Sequence, residues 1–336
     1  MKPITTRDVA EHCGIPHHDV ARVLRAVADM GEEKARTILR AAREMGYPLN
    51  EKSAGRALNL GVLFAEESNT GLTHPFFAAL LNGFKTEAEA RGYDITFINH
   101  NIGTQGASYY EHCRYRRVDG AMLACVDFES PEIQELLRSN VPCVAVDYEA
   151  PGQLSVISDN VSGVTQLVDY AVSQGHRRIA FLHGQRNSRV TRDRVASFRA
   201  AMEKHRLPIP AGYLVEGRYG EIEAVRPLVR DMLALPERPT CILLPDDATY
   251  LVAQETIREE ELRIPADISV AGYDGIALTQ SLRPRLTTIR QDSDRMGREA
   301  AQLLIDRIEN GTPVGPPTVV PVELIAGDTV SWCNAW

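Results

Sequence analysis

The 336-residue sequence has no run near the roughly 20 apolar residues that a membrane-spanning helix requires. Its first residues, MKPITTRDVAEH, lack the apolar core of a secretory signal, so a soluble cytoplasmic protein is expected. Six cysteines (Cys13, Cys113, Cys125, Cys143, Cys241 and Cys333) include no CxxC pair, which argues against a zinc site or a disulfide framework. Cys125 and Cys143 sit in apolar runs, where a reduced thiol behaves as a small hydrophobe. HExxH, GxSxG, GxGxxG and the phosphate-binding GxxxxGK pattern are all absent. Catalysis, a metal and a cofactor are therefore not expected. With 44% apolar and 24% charged residues, disordered and fibrous classes are excluded as well.

The length points to two domains of roughly 150 residues each. A net charge of −8 speaks against a nucleic-acid partner until its distribution is read. Residues 1–60 carry ten Lys/Arg against eight Asp/Glu, which leaves −10 on the remainder. A slightly basic head on an acidic body suits a DNA-binding segment joined to a sensor that does not bind DNA.

From Thr5 the chain reads TTRDVAEHCGIPHHDVARVLRAVADMGEEKARTILRAAREMGY. Apolar spacing predicts three helices. The first spans about Thr6–Cys13, with Val9 and Ala10 inward and Gly14 as its C-cap. The second spans about Pro16–Arg25, with Val20, Val23 and Leu24 on one stripe. The third spans about Glu32–Met45, with Ala35, Ile38, Leu39, Ala42 and Met45 aligned, and ends at Gly46. Two short helices joined by a glycine-containing turn form the helix-turn-helix pattern. Its second helix enters the major groove with N-terminal residues at the base edges. That puts His17, His18 and Arg22 outward, and Arg can bind guanine O6 and N7 in bidentate fashion. A three-helix interaction module with solvated charges is the alternative.

From Leu60 onward, short apolar runs alternate with helical stretches. The runs are Leu60–Ala65, Ile95–Ile98, Gly120–Ala124, Cys143–Val146, Arg178–His183, Cys241–Leu244 and Ile268–Tyr273. Continuous apolar strands separated by helices predict parallel sheets covered on both faces. A coarse internal repeat changes over near Ser158–Asn160. The expected fold is therefore an all-α head followed by α/β: two doubly wound parallel-sheet lobes, with a ligand crevice at the carboxyl ends of the strands.

The head resembles that of the LacI/GalR regulators through Asp8-Val9-Ala10, Gly14, Val20, Arg22-Val23-Leu24, Gly46-Tyr47 and Asn50. The body resembles the same family's periplasmic-binding-protein-like effector domain. The matching pieces include His74-Pro75-Phe76-Phe77, Asp159-Asn160, Gly175-His176-Arg177-Arg178, Arg194-x-x-x-Phe198, the run Ile264–Asp274, and Leu286-Thr287-Thr288-Ile289 with Gln291. Departures are Pro16 at the usual recognition-helix cap, Gly31 opening the third helix, and Arg25 in place of Asn.

The resemblance implies a DNA-binding domain over 1–49, a hinge over 50–59 and an effector domain over 60–336. Lobe 1 is expected over about 60–157 and 290–320, and lobe 2 over about 158–289 and 321–336. The run Leu286–Gln291 is expected to be a crossover back to lobe 1. The implied DNA contacts are Thr5, Thr6, His17, His18, Arg22, Asn50 and Leu58, the last as a minor-groove wedge. Two residues are inserted before Leu58, the linker after it is nearly absent, and Gly55 weakens a hinge helix by roughly 0.8–1 kcal/mol relative to Ala. A plain connector is the alternative reading of the hinge.

Implied effector contacts are Phe76, Phe77, Asp147, Val190, Arg194, Tyr219, Asp246, Asp274 and Gln291. Carboxylates accepting from vicinal hydroxyls, a guanidinium fork and aromatic faces suit a polyhydroxylated ligand. Asp246 stands where relatives often carry Asn, which favours a hydroxyl-rich or cationic ligand over an anion. Alternatives remain: helix-start packing for Phe76 and Phe77, a surface loop for Tyr219, and a structural ion pair for Arg194 and Asp274. The implied function is a homodimeric repressor that binds near-palindromic operator DNA and answers to a sugar or sugar derivative. A nucleoside or purine effector is the alternative. A free sugar-binding protein is disfavoured by the head.

Overall fold

The computed structural model describes residues 4–24, 32–45, 57–64, 73–102, 105–149, 152–186, 188–217 and 222–333. The head consists of α1 (Thr6–Cys13), α2 (His17–Leu24) and α3 (Glu32–Glu44). α1 opens on a capping box, in which Thr5 Oγ1 accepts from Asp8 N–H and Asp8 Oδ2 accepts from Thr5 N–H at 2.6 Å. It closes where Gly14 takes φ 63°, a left-handed turn open to glycine at little cost. Val9, Ala10, Val20, Ile38, Ala41 and Ala42 form the small core between the helices.

Lobe 1 begins with β1 (Asn59–Phe64), α4 (Pro75–Ala90), β2 (Asp94–Ile98) and a short hairpin, β3 (Asn101–Ile102) and β4 (Gln105–Gly106). It continues through α5 (Tyr109–Arg116), β5 (Gly120–Ala124), α6 (Pro131–Arg138), β6 (Cys143–Val146) and β7 (Leu154–Ser158). Lobe 2 follows with α7 (Asn160–Ser173), β8 (Ile179–His183), α8 (Arg189–Lys204), β9 (Leu214–Glu216) and α9 (Val225–Leu233). It is completed by β10 (Cys241–Leu243), α10 (Asp247–Glu259), β11 (Ser269–Asp274), α11 (Ala277–Ser281) and β12 (Thr287–Gln291). The chain then returns to lobe 1 as α12 (Ser293–Asn310), which packs along α4. Finally β13 (Thr318–Val320) joins the first sheet and β14 (Val322–Ile325) the second.

The strand orders are β13-β7-β6-β5-β1-β2 and β14-β12-β11-β10-β8-β9. Pairing within the two sheets is parallel except for β12 with β14. Each sheet has an apolar cluster on both faces, as continuous apolar strands require. The order reverses at β1 in one sheet and at β8 in the other. Such switch points open crevices at the carboxyl ends of strands.

The run 286–291 is not the crossover expected from the sequence. Thr287–Gln291 is a strand inside the second sheet, and the return to lobe 1 follows Gln291. The threonines look too polar for a central strand, but both are buried and their hydroxyls are satisfied. Thr288 Oγ1 donates to Asp247 Oδ1 at 2.6 Å, and Thr287 Oγ1 accepts from Gly327 N–H. β7, β9, β13 and β14 also escaped the sequence reading, the last three being only three or four residues long.

α4 and α12 approach so closely that side chains are excluded at two points. A Cβ on Gly297 would lie 1.9 Å from Leu80 O, and one on Gly83 2.0 Å from Asp294 O. Gly297→Ala is expected to destabilise the protein by about 1–3 kcal/mol, because the obstacle is backbone and the helices must part. The better helix propensity of Ala, about 1 kcal/mol, works in the opposite direction. Urea unfolding with an unchanged midpoint would refute this account of the helix pair.

Candidate functional site

In the head, the start of α1 is tied to the start of α2. Thr6 Oγ1 lies 3.0 Å from His17 Nε2, and His17 is exposed. His18 is exposed as well, with Nε2 2.8 Å from Asp19 Oδ1. Asp19 in turn holds Lys34 Nζ at 2.6 Å, which fixes α2 against α3. Thr5 is exposed but spends its hydroxyl in the α1 cap. Arg22 lies on α2, while its side chain, together with Asn50 and Tyr219, falls outside the described residues.

Leu58 does not stand out as a wedge in this structure. It is half buried against the lobe 1 core, and its carbonyl accepts from Asp94 N–H at 2.8 Å. The Asp119 carboxylate holds the neighbouring Ala57 and Asn59 N–H groups at 3.2 and 3.1 Å. With only Asn59 before the buried Leu60, the apolar side chain gains more from lobe 1 than from solvent.

The second cluster forms at the carboxyl ends of the two sheets. Lobe 1 contributes Asp147 after β6, and His74 and Phe77 at the start of α4. Lobe 2 contributes Asn160, Arg194, Asp246, Tyr273, Asp274 and Gln291. Arg194 is 4% exposed. Its Nε donates to Asn160 Oδ1 at 2.7 Å, its Nη1 to Pro245 O at 3.0 Å, and its guanidinium lies 3.5 Å over the Tyr273 ring. A guanidinium held this way is aimed rather than free to swing. Asp274 Oδ1 accepts from Gln291 Nε2 at 2.7 Å, and Gln291 Oε1 and Tyr273 Oη are buried with no hydrogen-bond partner among the described residues.

The carboxylates carry the electrostatics. Burial pushes the Asp274 carboxyl up to about 8, with the Asp246 charge adding to it and Arg194 opposing. Burial also raises Asp147, against the Ser158 N–H and the Arg194 charge. Asp147 and Asp274 sit at φ 54° and 116°, conformations that non-glycine residues rarely adopt and that cluster at functional sites. Behind them Asp247 is fully buried and accepts from Thr279 Oγ1, Thr288 Oγ1 and Ile276 N–H, which ties α10, α11 and β12 together. The lobes meet where His74 Nε2 lies 3.9 Å from Asp274 Oδ2 and Arg189 Nη1 lies 2.8 Å from Glu149 Oε2. His74 Nδ1 accepts from Phe76 N–H, so the other ring nitrogen faces lobe 2.

Of the residues expected from sequence, Asp147, Arg194, Asp246, Asp274 and Gln291 come together, and all but Asp147 lie on lobe 2. Phe76 is 7% exposed in the lobe 1 core, which is helix-start packing, whereas Phe77 is half buried against Phe64 and His74. Val190 is half buried in the first turn of α8. His74, Asn160 and Tyr273 were missed as site residues. Tyr273 precedes Asp274 in β11, so strand alternation turns it to the α7 and α8 side, where Arg194 covers it. Tyr148, stacked on Phe128 with centroids 3.9 Å apart, follows Asp147 directly.

Residues 168–330 match the model of a periplasmic binding protein-like domain. The ribose operon repressor of Escherichia coli (strain K12) is 31% identical over 317 residues, spanning 92% of this chain and 94% of that protein. The chain belongs to the LacI/GalR family of transcriptional regulators. A second LacI/GalR relative, the HTH-type transcriptional repressor PurR of Vibrio parahaemolyticus, is 28% identical, covering 98% of this chain and 99% of its own. The Lac repressor dimer bound to operator and the anti-inducer ONPF superposes with a TM-score of 0.73 at 25% identity, covering 98% of this chain and all of that one. Like these repressors, the present LacI/GalR chain is not an enzyme. Among its described residues no helix is long and apolar enough to cross a membrane, and no His/Cys/Asp/Glu cluster is suited to a metal.

Proposed function

We propose that the chain is a cytoplasmic repressor that binds near-palindromic operator DNA as a homodimer and is controlled by a neutral, hydroxyl-rich effector of the sugar class. Residues 1–49 form the DNA-binding head, 50–59 the hinge and 60–336 the effector domain. The effector sits between the lobes, against Phe77, Asp147, Val190, Arg194, Asp246, Asp274 and Gln291, with Phe76 behind them and Tyr219 as a further contact. The observation that carries this reading is the convergence of buried carboxylates from both lobes on one fixed guanidinium. Carboxyl groups accept from hydroxyls, and burial that already disfavours their own negative charge disfavours a phosphate beside them as well. A ligand that satisfies Asp147 on one lobe and Asp274 on the other favours the closed arrangement, and differential affinity for that state is what shifts the population.

A thermal-shift screen of sugars, sugar phosphates and nucleosides tests the effector class. Sugars are expected to raise the melting temperature and their phosphates to leave it unchanged. Stabilisation by nucleosides alone would replace the sugar reading with the purine one.

At the operator, Thr5, Thr6, His17, His18, Arg22 and Asn50 form the contact surface, and Leu58 leaves lobe 1 to wedge into the minor groove. Arg22→Ala is expected to weaken specific binding by about 1–3 kcal/mol, the worth of one bidentate base contact. Equal weakening on operator and random DNA, measured by fluorescence anisotropy, would assign Arg22 to a phosphate instead.

A further inference from the structure

At the amino ends of its strands, lobe 1 presents three arginines within four residues. Arg114, Arg116 and Arg117 are all exposed at the carboxyl end of α5. One cation there is ordinary, because the last turn of a helix carries partial negative charge. Three, with the exposed Tyr115 stacked beneath Arg116 at 5.4 Å, make a surface. Arg116 is further steered by His112, whose Nε2 accepts from its Nε at 3.2 Å.

The place of this surface matters. Arg116 O accepts from Asn59 Nδ2 at 3.0 Å, and Arg114, Arg117 and Ala57 line one groove with Asp119 and Asn140. The cluster therefore borders the point where the chain arrives from the head. Eleven residues separate Met45 from Ala57, a reach of at most about 40 Å fully extended. Asp119, in the same groove, holds the Ala57 and Asn59 N–H groups.

We propose that Arg114, Arg116 and Arg117 form a second DNA contact, to backbone phosphates beside the operator centre, so that lobe 1 as well as the head holds the duplex. The proposal rests on operator binding by the head. It runs against the expectation that the acidic body stays clear of DNA, because local charge at the hinge side decides the contact rather than net charge.

The test is the salt dependence of DNA affinity for the full chain. Each phosphate contact contributes about 0.9 to the slope of log K against log salt. Arg114→Gln/Arg117→Gln removes two contacts per protomer and is expected to lower the slope by about 3–4 for a dimer. The loss should appear on operator and random DNA alike, with an unchanged melting temperature. Arg258→Gln/Arg263→Gln removes the same charge from sites on lobe 2 that are 79% and 77% exposed, and should leave the slope as it was. An unchanged slope in the lobe 1 variant, or an equal fall in both, overturns the contact while operator binding stands. Failure of the parent chain to bind DNA even at low salt overturns the operator reading and this proposal with it.

Discussion

Arg194→Ala is expected to lower effector affinity at least about a hundredfold and abolish the effector response, while operator affinity stays within about twofold. The size follows from what surrounds the side chain. The guanidinium is buried, and its loss strands Asn160 Oδ1 and Pro245 O without their donor and uncovers the Tyr273 ring. It also removes a cation whose field opposes the raised carboxyls of both Asp147 and Asp274. Breaking a buried charge arrangement from one side costs about 3–5 kcal/mol, which is about two to three and a half decades in affinity. Arg194→Lys restores the charge but not the planar fork, so it is expected to recover stability before it recovers binding. The head has its own core around Val9, Val20 and Ile38, so operator affinity should be spared. Calorimetric titration with the sugar that passes the thermal screen reads the first effect, and anisotropy on operator DNA reads the second. A variant that melts far below the parent and loses both activities would make Arg194 a structural strut instead.

Parts of this molecule that rest on periodicity were readable in the sequence. α1, α2 and α3 fall within about two residues of the helices that apolar spacing predicts, because each buries one stripe against the other two. The central strands β1, β5, β6, β8, β10 and β11 were visible because both their faces are covered, which leaves an unbroken apolar run. β12 was not, since its threonine hydroxyls are made apolar in effect by Asp247 and Gly327, partners 40 residues or more away in sequence. For the cleft, resemblance supplied Arg194, Asp246, Asp274 and Gln291, and the geometry that joins them comes from loops at the ends of separate strands. Neither periodicity nor resemblance supplied the fixing partners: Asn160 and Tyr273 hold Arg194 only because α7, α8 and β11 pack together. Leu58 has a place that depends on the partner: without DNA the shortened connection lets it pack onto lobe 1, while its position in the motif expects a minor-groove wedge only once operator is bound.

Asp274→Asn is expected to stabilise the effector-free protein at pH 8 and to disable effector binding at the same pH. In the fold its carboxyl is raised to about 8, chiefly by burial and then by Asp246, while the unfolded chain ionises near 4. Between those values the unfolded state has released a proton that the folded state retains. Stability is therefore greatest at low pH and is lost as pH rises toward 8. Asn is neutral throughout and keeps an oxygen for the Gln291 N–H, so the pH-dependent loss disappears. Asp247 is raised in the same sense, with the Asp274 charge among the causes, so the substitution relieves it too. The gain in melting temperature should be large at pH 8 and shrink toward pH 5. Binding runs the other way: a hydroxyl donated to Asp274 favours its ionised form, so effector affinity of the parent should rise from pH 6 to pH 8 with release of a proton. Calorimetry in buffers of different ionisation enthalpy would register that proton, and the Asn variant should release fewer. If both proteins show the same melting profile across this range, Asp274 is already ionised in the fold, and the tension between the empty cleft's stability and its affinity for hydroxyls would have to come from Asp147.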